Sequence, residues 1–132
     1  DETRKEFTVP TKIYLKEILK IDKEYGINGM MHMTGGSYTK LKDIAPNVDL
    51  EITDSHKLKP QQIFKEIYEK CIADEEMYKT FNCGVGFIIS VPKKKAEKII
   101  NEYPETDIIG RTKFGKGGVL IKSMFSNSKV SY

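Results

Sequence analysis

Three short segments carry residue types that could do chemistry. The first is His32-Met33-Thr34-Gly35-Gly36-Ser37. Adjacent glycines after an apolar run let backbone N–H groups approach an anion closely, and a helix starting next would add its positive end. Thr34 and Ser37 offer hydroxyl donors to the same phosphate. His32 brings an imidazole, the side chain suited to relaying protons near neutrality. The other reading is a strand-to-helix turn that needs glycine for a positive φ, with His32 a hydrogen-bonded core residue. The residues alone leave the glycine pair evenly divided and favour the core reading for the histidine.

The second segment is Asn82-Cys83-Gly84-Val85-Gly86. Asn82 offers a donor and an acceptor at a strand entrance. Glycines inside a strand mark a bulge or the close approach of a ligand or another backbone, and an Asn turn into a crowded strand is the alternative. The third is Gly115-Lys116-Gly117-Gly118. A G-x-x-G loop clamps single-stranded nucleic acid in KH domains, but there it joins two helices. Here predicted strands flank it, so a hairpin turn is expected. Asp54-Ser55-His56 has the residue types of a hydrolase triad, yet consecutive side chains do not converge on one point. It reads as a polar loop. Cys71, Cys83, His32 and His56 lack the close spacing of a preformed metal site, and both thiols are expected free and buried. No metal is expected on these residues.

These segments need a scaffold. From Pro10, a helix places Tyr14, Ile18, Ile21 and Tyr25 on one face and stops at Gly26. Residues 27–33 read as a strand, Tyr38 to Ala45 as a short helix ended before Pro46, and Val48 to Thr53 as a half-buried strand. A helix after Pro60 aligns Ile63, Ile67 and Cys71, and Asp74 caps another short one. Asn82 to Val91 is a strand ended by Pro92. Ala96, Ile99, Ile100 and Tyr103 form a further helical face, and the run Lys93 to Lys95 is its solvated start. Asp107 to Thr112 and Val119 to Lys122 close the chain around the third glycine segment. The expected fold is α+β, a mixed sheet covered by helices in a single domain over residues 1–132, with residues 1–9 a loose lead-in and 126–132 a loose tail.

Bulk properties narrow the function classes. The 132 residues are 39% hydrophobic and 31% charged, the composition of one compact domain. Net charge is +3 from 22 basic and 19 acidic side chains, interleaved along the chain. That pattern argues against a nucleic-acid partner, which needs a concentrated positive face. The longest apolar run, Val85 to Val91, is too short to span a bilayer, and the opening DETRKEF is no signal segment. The expectation is a cytoplasmic protein with no membrane partner.

In order and spacing, PTKIYLK (Pro10 to Lys16), GMMHMTGGS (Gly29 to Ser37), EEMYKTFNCGVGFIISVP (Glu75 to Pro92) and IIGRTKFGKGGVLI (Ile108 to Ile121) resemble one family. It is the carboxyl-terminal domain of AIR synthase, phosphoribosylformylglycinamidine cyclo-ligase. The likeness runs from about Thr8 to Met124, and the E-M-x-x-T-F-N-x-G-x-G block is its most specific part. The resemblance implies an AIR synthase C-terminal-domain-like fold and a ligase of purine biosynthesis. That enzyme uses ATP to close the imidazole ring, turning formylglycinamidine ribonucleotide into aminoimidazole ribonucleotide through an iminophosphate. His32, Thr34, Gly35, Gly36 and Ser37 fall on the family's H-x-T-G-G-G loop, which implies a substrate-facing role and a catalytic one for His32. Asn82, Gly84 and Gly86 fall on its F-N-M-G-x-G strand beside the same cleft.

The resemblance further implies that ATP and Mg²⁺ are held mainly by an amino-terminal domain absent from this chain, in cis or as a separate chain. It implies a homodimeric full enzyme and an isolated domain that is inactive. Ser37 stands where the family has a third glycine. The family's following Asn and Arg meet Lys40-Leu41-Lys42-Asp43, one residue shorter. Two alternatives are carried: the matching domain of another ATP-using enzyme such as formylglycinamidine ribonucleotide synthetase, against which TFNCGVG speaks, and a small RNA-binding module.

Overall fold

Two sheets, one mixed and one a simple ribbon, carry the segments singled out above. The computed structural model describes residues 2–44 and 47–132, with only the backbone of Glu2 and Thr3. Its helices are α1 (Glu2–Glu6), α2 (Leu15–Tyr25), a 3₁₀ helix (Ser37–Asp43), α3 (Gln62–Tyr68), α4 (Asp74–Thr80) and α5 (Lys93–Glu102). Its strands are β1 (Gly29–His32), β2 (Val48–Ile52), β3 (Phe87–Ser90), β4 (Gly110–Phe114), β5 (Val119–Lys122) and β6 (Lys129–Ser131). The mixed sheet has the order β4-β2-β5-β6, and β1 pairs with β3 in the antiparallel ribbon. The α+β architecture expected from the sequence is present.

Periodicity explains most of these elements. Tyr14, Ile18, Ile21 and Tyr25 are the positions of the α2 region withdrawn from solvent, and Gly26 closes the helix at φ 69° with its N–H on Asp22 O. The helix begins at Leu15 instead of Pro10, because Lys12 and Tyr14 are held by tertiary partners, Glu17 and Glu105 for the lysine and two rings for the tyrosine. On the mixed sheet, Leu50, Ile52, Val119, Ile121 and Val130 are all buried. They pack with Tyr38 and Leu41 of the 3₁₀ helix and Met77 and Tyr78 of α4 in one contiguous core. Ile21 and Ile99 are buried outside it. α2 and α5 are tied to each other at their surface, by Lys95 Nζ donating to Tyr25 O, Tyr25 to Glu102, and Lys20 lying 5.6 Å over the Tyr103 ring.

Several expectations are corrected. The tail is not loose: Lys129–Ser131 is strand β6, paired antiparallel with β5, and Val130 is buried. The apolar alternation of so short a segment is too brief to stand out in the sequence. The lead-in forms α1, and the Glu6 carboxylate accepts from Ile63 N at 2.8 Å in the first turn of α3, where orphan N–H groups attract negative charge. The helix after Pro60 ends at Tyr68, so Cys71, at φ 65°, lies beyond it and is exposed; only Cys83 is buried, and both are free. The strand expected from Asn82 starts at Phe87. The helix end expected at Ala45 and Pro46 lies outside the described residues.

The third glycine segment is not a hairpin. β4 lies antiparallel to one edge of β2 and β5 parallel to the other, so residues 115–118 pass over the end of β2. Lys116 N and Gly118 N donate to Asp49 Oδ1 at 3.0 and 2.9 Å. Those N–H groups, Gly118's foremost, hold the Asp49 carboxyl below its usual range. A side chain at Gly115 would overlap the same carboxylate. The glycines therefore serve a carboxylate of this chain and not a nucleic acid.

Since Val130 fills the core, Val130→Ala in the full-length protein should cost about 1–3 kcal/mol of stability by chemical denaturation. An unchanged midpoint would restore the loose tail.

Candidate functional site

The first two glycine segments lie side by side. Met33 N donates to Gly86 O at 3.0 Å, Ser37 Oγ to Phe81 O at 2.7 Å, and Tyr38 Oη to Asn82 O at 3.0 Å. β1 enters the first segment and β3 leaves the second, in the register His32↔Phe87.

The Thr34–Ser37 turn is closed by Ser37 N donating to Thr34 O at 2.8 Å. Gly36 has φ 82° and ψ −14°, the third-position geometry of a type II turn, which glycine adopts without strain. Gly35 is different. Its φ is not positive, and a Cβ built there meets nothing within 4 Å. The fold requires glycine at 36 and does not require it at 35. Among the described residues no group accepts the Gly35 or Gly36 N–H. Lys40 folds back over this turn, its Cε 2.7 Å from where a Cβ on Gly36 would stand, which brings an ammonium to the loop. Sequence reasoning missed Lys40, since its signal is the i+4 return of the 3₁₀ helix over the turn.

Ser37 does not face the open side of the loop. It is 1% exposed and its hydroxyl hydrogen goes to Phe81 O, so it braces the site. Its φ of 34° is a conformation glycine adopts freely. Thr34 is exposed with its hydroxyl at the loop surface. The element after the turn is a seven-residue 3₁₀ helix rather than an α-helix.

His32 is exposed, not a core residue. Its ring stacks on Phe87 at 5.8 Å and 24° and meets the edge of Tyr14 at 5.9 Å and 64°. Tyr14 in turn sits 5.5 Å from Phe87 and carries Lys12 over its face. The imidazole thus has a defined aromatic seat at the end of β1, beside the glycine loop.

In the second segment, Asn82 Oδ1 accepts from Gly84 N at 3.1 Å, and Val85 N donates to Asn82 O at 3.0 Å. Cys83 and Gly84 have φ 49° and 93°, the two left-handed centres of a tight turn. Asn82 therefore spends its oxygen on the turn and keeps Nδ2 as a donor. Burial pushes the Cys83 thiol up to about 12, so it is inert. A Cβ at Gly84 would stand 2.5 Å from Lys59 O, and one at Gly86 would collide with the Tyr14 hydroxyl. Both glycines serve packing.

Elsewhere, Asp54, Ser55 and His56 form no triad. His56 is buried with Nδ1 unpartnered, Asp54 is paired to Lys122, and Thr53 Oγ1 meets Ser55 Oγ at 3.2 Å. Among the described residues no three His, Cys, Asp or Glu side chains are placed to hold a metal ion.

Residues 1–123 match the model of the family described as AIR synthase related protein, C-terminal domain. A phosphoribosylformylglycinamidine cyclo-ligase of Methanococcus maripaludis is 46% identical over 96 residues, 72% of this chain and 27% of the relative. The protein of that name from Methanobrevibacter smithii is 37% identical over 127 residues, 93% of this chain and 36% of the relative. That of Clostridium perfringens is 35% identical over 123 residues, 89% of this chain and 37% of the relative. The chain spans roughly a third of the length of these relatives.

Two predictions follow from the geometry. Gly35→Ala should leave stability unchanged or raise it by up to ~1 kcal/mol, since Ala fits and narrows the unfolded ensemble. Gly84→Ala should cost at least about 2 kcal/mol from its left-handed φ and the approach of Lys59. Denaturation midpoints of the two variants check both. His56 supplies a third. Burial, then Lys59, lowers its pKa below the usual histidine value against the pull of Asp107 and Asp54. The unfolded chain thus binds the proton more readily, and this group's contribution is lost as pH falls from about 6.5 toward the depressed value. Stability measured from pH 7.5 to 5 should fall less steeply in His56→Gln than in the parent.

Proposed function

The chain belongs to the AIR synthase related protein family as a C-terminal domain, and from that premise we propose that it forms the substrate-side wall of a phosphoribosylformylglycinamidine cyclo-ligase. The observation that carries this reading is Gly35. It is a glycine the fold does not need, open to solvent, with unclaimed N–H groups and the Lys40 stem beside it. Such a loop suits the phosphate of formylglycinamidine ribonucleotide. The Gly35 and Gly36 amides and the Thr34 hydroxyl would take its oxygens, and Lys40 would offset its charge. Ser37, Gly84 and Gly86 belong to the site as its frame.

ATP would supply the phosphoryl group that turns the formyl amide oxygen into a leaving group. A substrate nitrogen then attacks that carbon, the carbon–oxygen bond breaks, and phosphate departs as the ring closes. This chain's part is to hold the substrate and place two groups near the reacting end. His32, fixed by Phe87 and Tyr14, holds or passes the proton that the attacking nitrogen must lose. Asn82 Nδ2 donates to a substrate oxygen. In this reading ATP and Mg²⁺ are held mainly by an amino-terminal domain outside these 132 residues, within a cytoplasmic homodimer. Alone, the chain is expected to close no ring. The activity for which the relatives are named and the segment TFNCGVG favour this reading over formylglycinamidine ribonucleotide synthetase.

The test uses the full-length enzyme. Gly35→Ala, with its fold intact, should raise the KM for formylglycinamidine ribonucleotide by about 10-fold or more, because its methyl group occupies the open space through which the phosphate approaches the amides and so weakens those charge-assisted hydrogen bonds. His32→Asn should lower kcat by roughly 10²-fold and move the acid limb of the pH–rate profile. Unchanged KM in the first and unchanged kcat in the second would remove the loop and the histidine from the site.

A further inference from the structure

A cleft of about 710 Å³ is lined by none of residues 32–37. Residues 84–91 line it without a break, and so do residues 102–112. Side chains alternate across a strand, so an unbroken lining run means that the cleft meets β3 and β4 along their edges.

The hydrogen bonds show what those edges offer. Met33 N on Gly86 O fixes the β1–β3 phase, so Gly86, Ile88 and Ser90 turn their main-chain groups toward β1, while Phe87 and Ile89 turn theirs away. Thr53 N on Ile109 O and Gly115 N on Asn47 O fix the β2–β4 phase. Arg111 and Lys113 therefore face β2, and Gly110 and Thr112 face outward. Each of β3 and β4 is the end strand of its sheet. Two rows of N–H and C=O groups without a strand partner among the described residues thus border one slot. Its walls are apolar, with Ile18 and Ile21 of α2 and Ile99 and Ile100 of α5 against Leu50 and Ile52 of β2. Ile21 and Ile99, buried apart from the main core, lie on this slot.

We propose that an extended strand from the part of the protein outside these 132 residues inserts between β3 and β4 and joins the two sheets into one seven-stranded sheet. The volume falls in the range of small-ligand pockets, ~300–1,000 Å³, but a small apolar ligand leaves both edges unpaired. Only extended backbone has a donor and an acceptor for each side at the strand repeat. Both faces of the inserted strand are covered, so it is a continuous apolar run of roughly five or six residues without proline. Its source is argued from length: this chain spans only 27 to 37% of the relatives compared above. The proposal is independent of which substrate the glycine loop takes.

Amide hydrogen exchange on the full-length protein tests it. Phe87, Ile89, Gly110 and Thr112 should exchange at least ~100-fold more slowly than unstructured peptide, as ladder amides do. Thr112→Pro supplies the second reading, because it deletes an N–H that β2 does not use. It should speed exchange at the neighbouring outward amides and lower Tm, an effect that a free edge would not show. Exchange at the intrinsic rate in the parent protein, or a tolerated Thr112→Pro with unchanged exchange, would overturn the proposal. Protection that vanishes on dilution of a dimer would assign the slot to a second copy and overturn it equally.

Discussion

The hydrogen bond from the Ser37 hydroxyl to Phe81 O fixes how the chain's first two glycine segments meet. It is partly buried, with the Ser37 side fully withdrawn from solvent, and its loss would leave a carbonyl without its partner at the edge of the core. Around it, Tyr38 Oη reaches Asn82 O and the Tyr38 ring packs edge-on to Tyr78 at 5.1 Å. The glycine turn thereby inherits the rigidity of the core cluster although it lies at the surface. A site built this way can keep an open face toward a ligand because its back face is already satisfied.

The division of labour among the glycines depends on the same construction. Gly36, Gly84 and Gly86 meet demands of the chain itself, a left-handed turn in two cases and the Tyr14 hydroxyl in the third. Tyr14 then orients His32 and Phe87, so Gly86 acts on the imidazole at one remove. Ser37 holds a positive φ where the family loop has glycine, and the hydrogen bond to Phe81 offsets that strain.

The faces of α2 and α5 were legible because three- and four-residue spacing survives in any context, as Ile21 and Ile99 show. The alternation of β2 was legible for the same reason. What local pattern could not carry was pairing. The glycine run at 115–118 looks like a hairpin from either side, and only the position of Asp49, distant in sequence, makes it a crossing. Cys71 continues the apolar stripe of α3, yet a left-handed residue ends that helix's reach. At the two glycine segments, residue types marked turns that the fold brings side by side. The inward turn of Ser37 and the return of Lys40 depend on tertiary placement and left no mark in the sequence.

The placement of β2 has a consequence for how the chain is made. Glu51 pairs across to Arg111, 60 residues later, and β5 arrives later still. At roughly 5–20 residues per second, β2 leaves the ribosome several seconds before either neighbour exists. During that interval Leu50 and Ile52 form an apolar strip with both edges bare. The 3₁₀ helix and α4 emerge sooner and can shelter that strip, but the sheet itself closes only once β4 and β5 have emerged. The centre of the sheet is therefore the last part to be secured. Slow, late-committing pairing of this kind leaves nascent chains dependent on chaperones for longer than the modest length of this domain suggests.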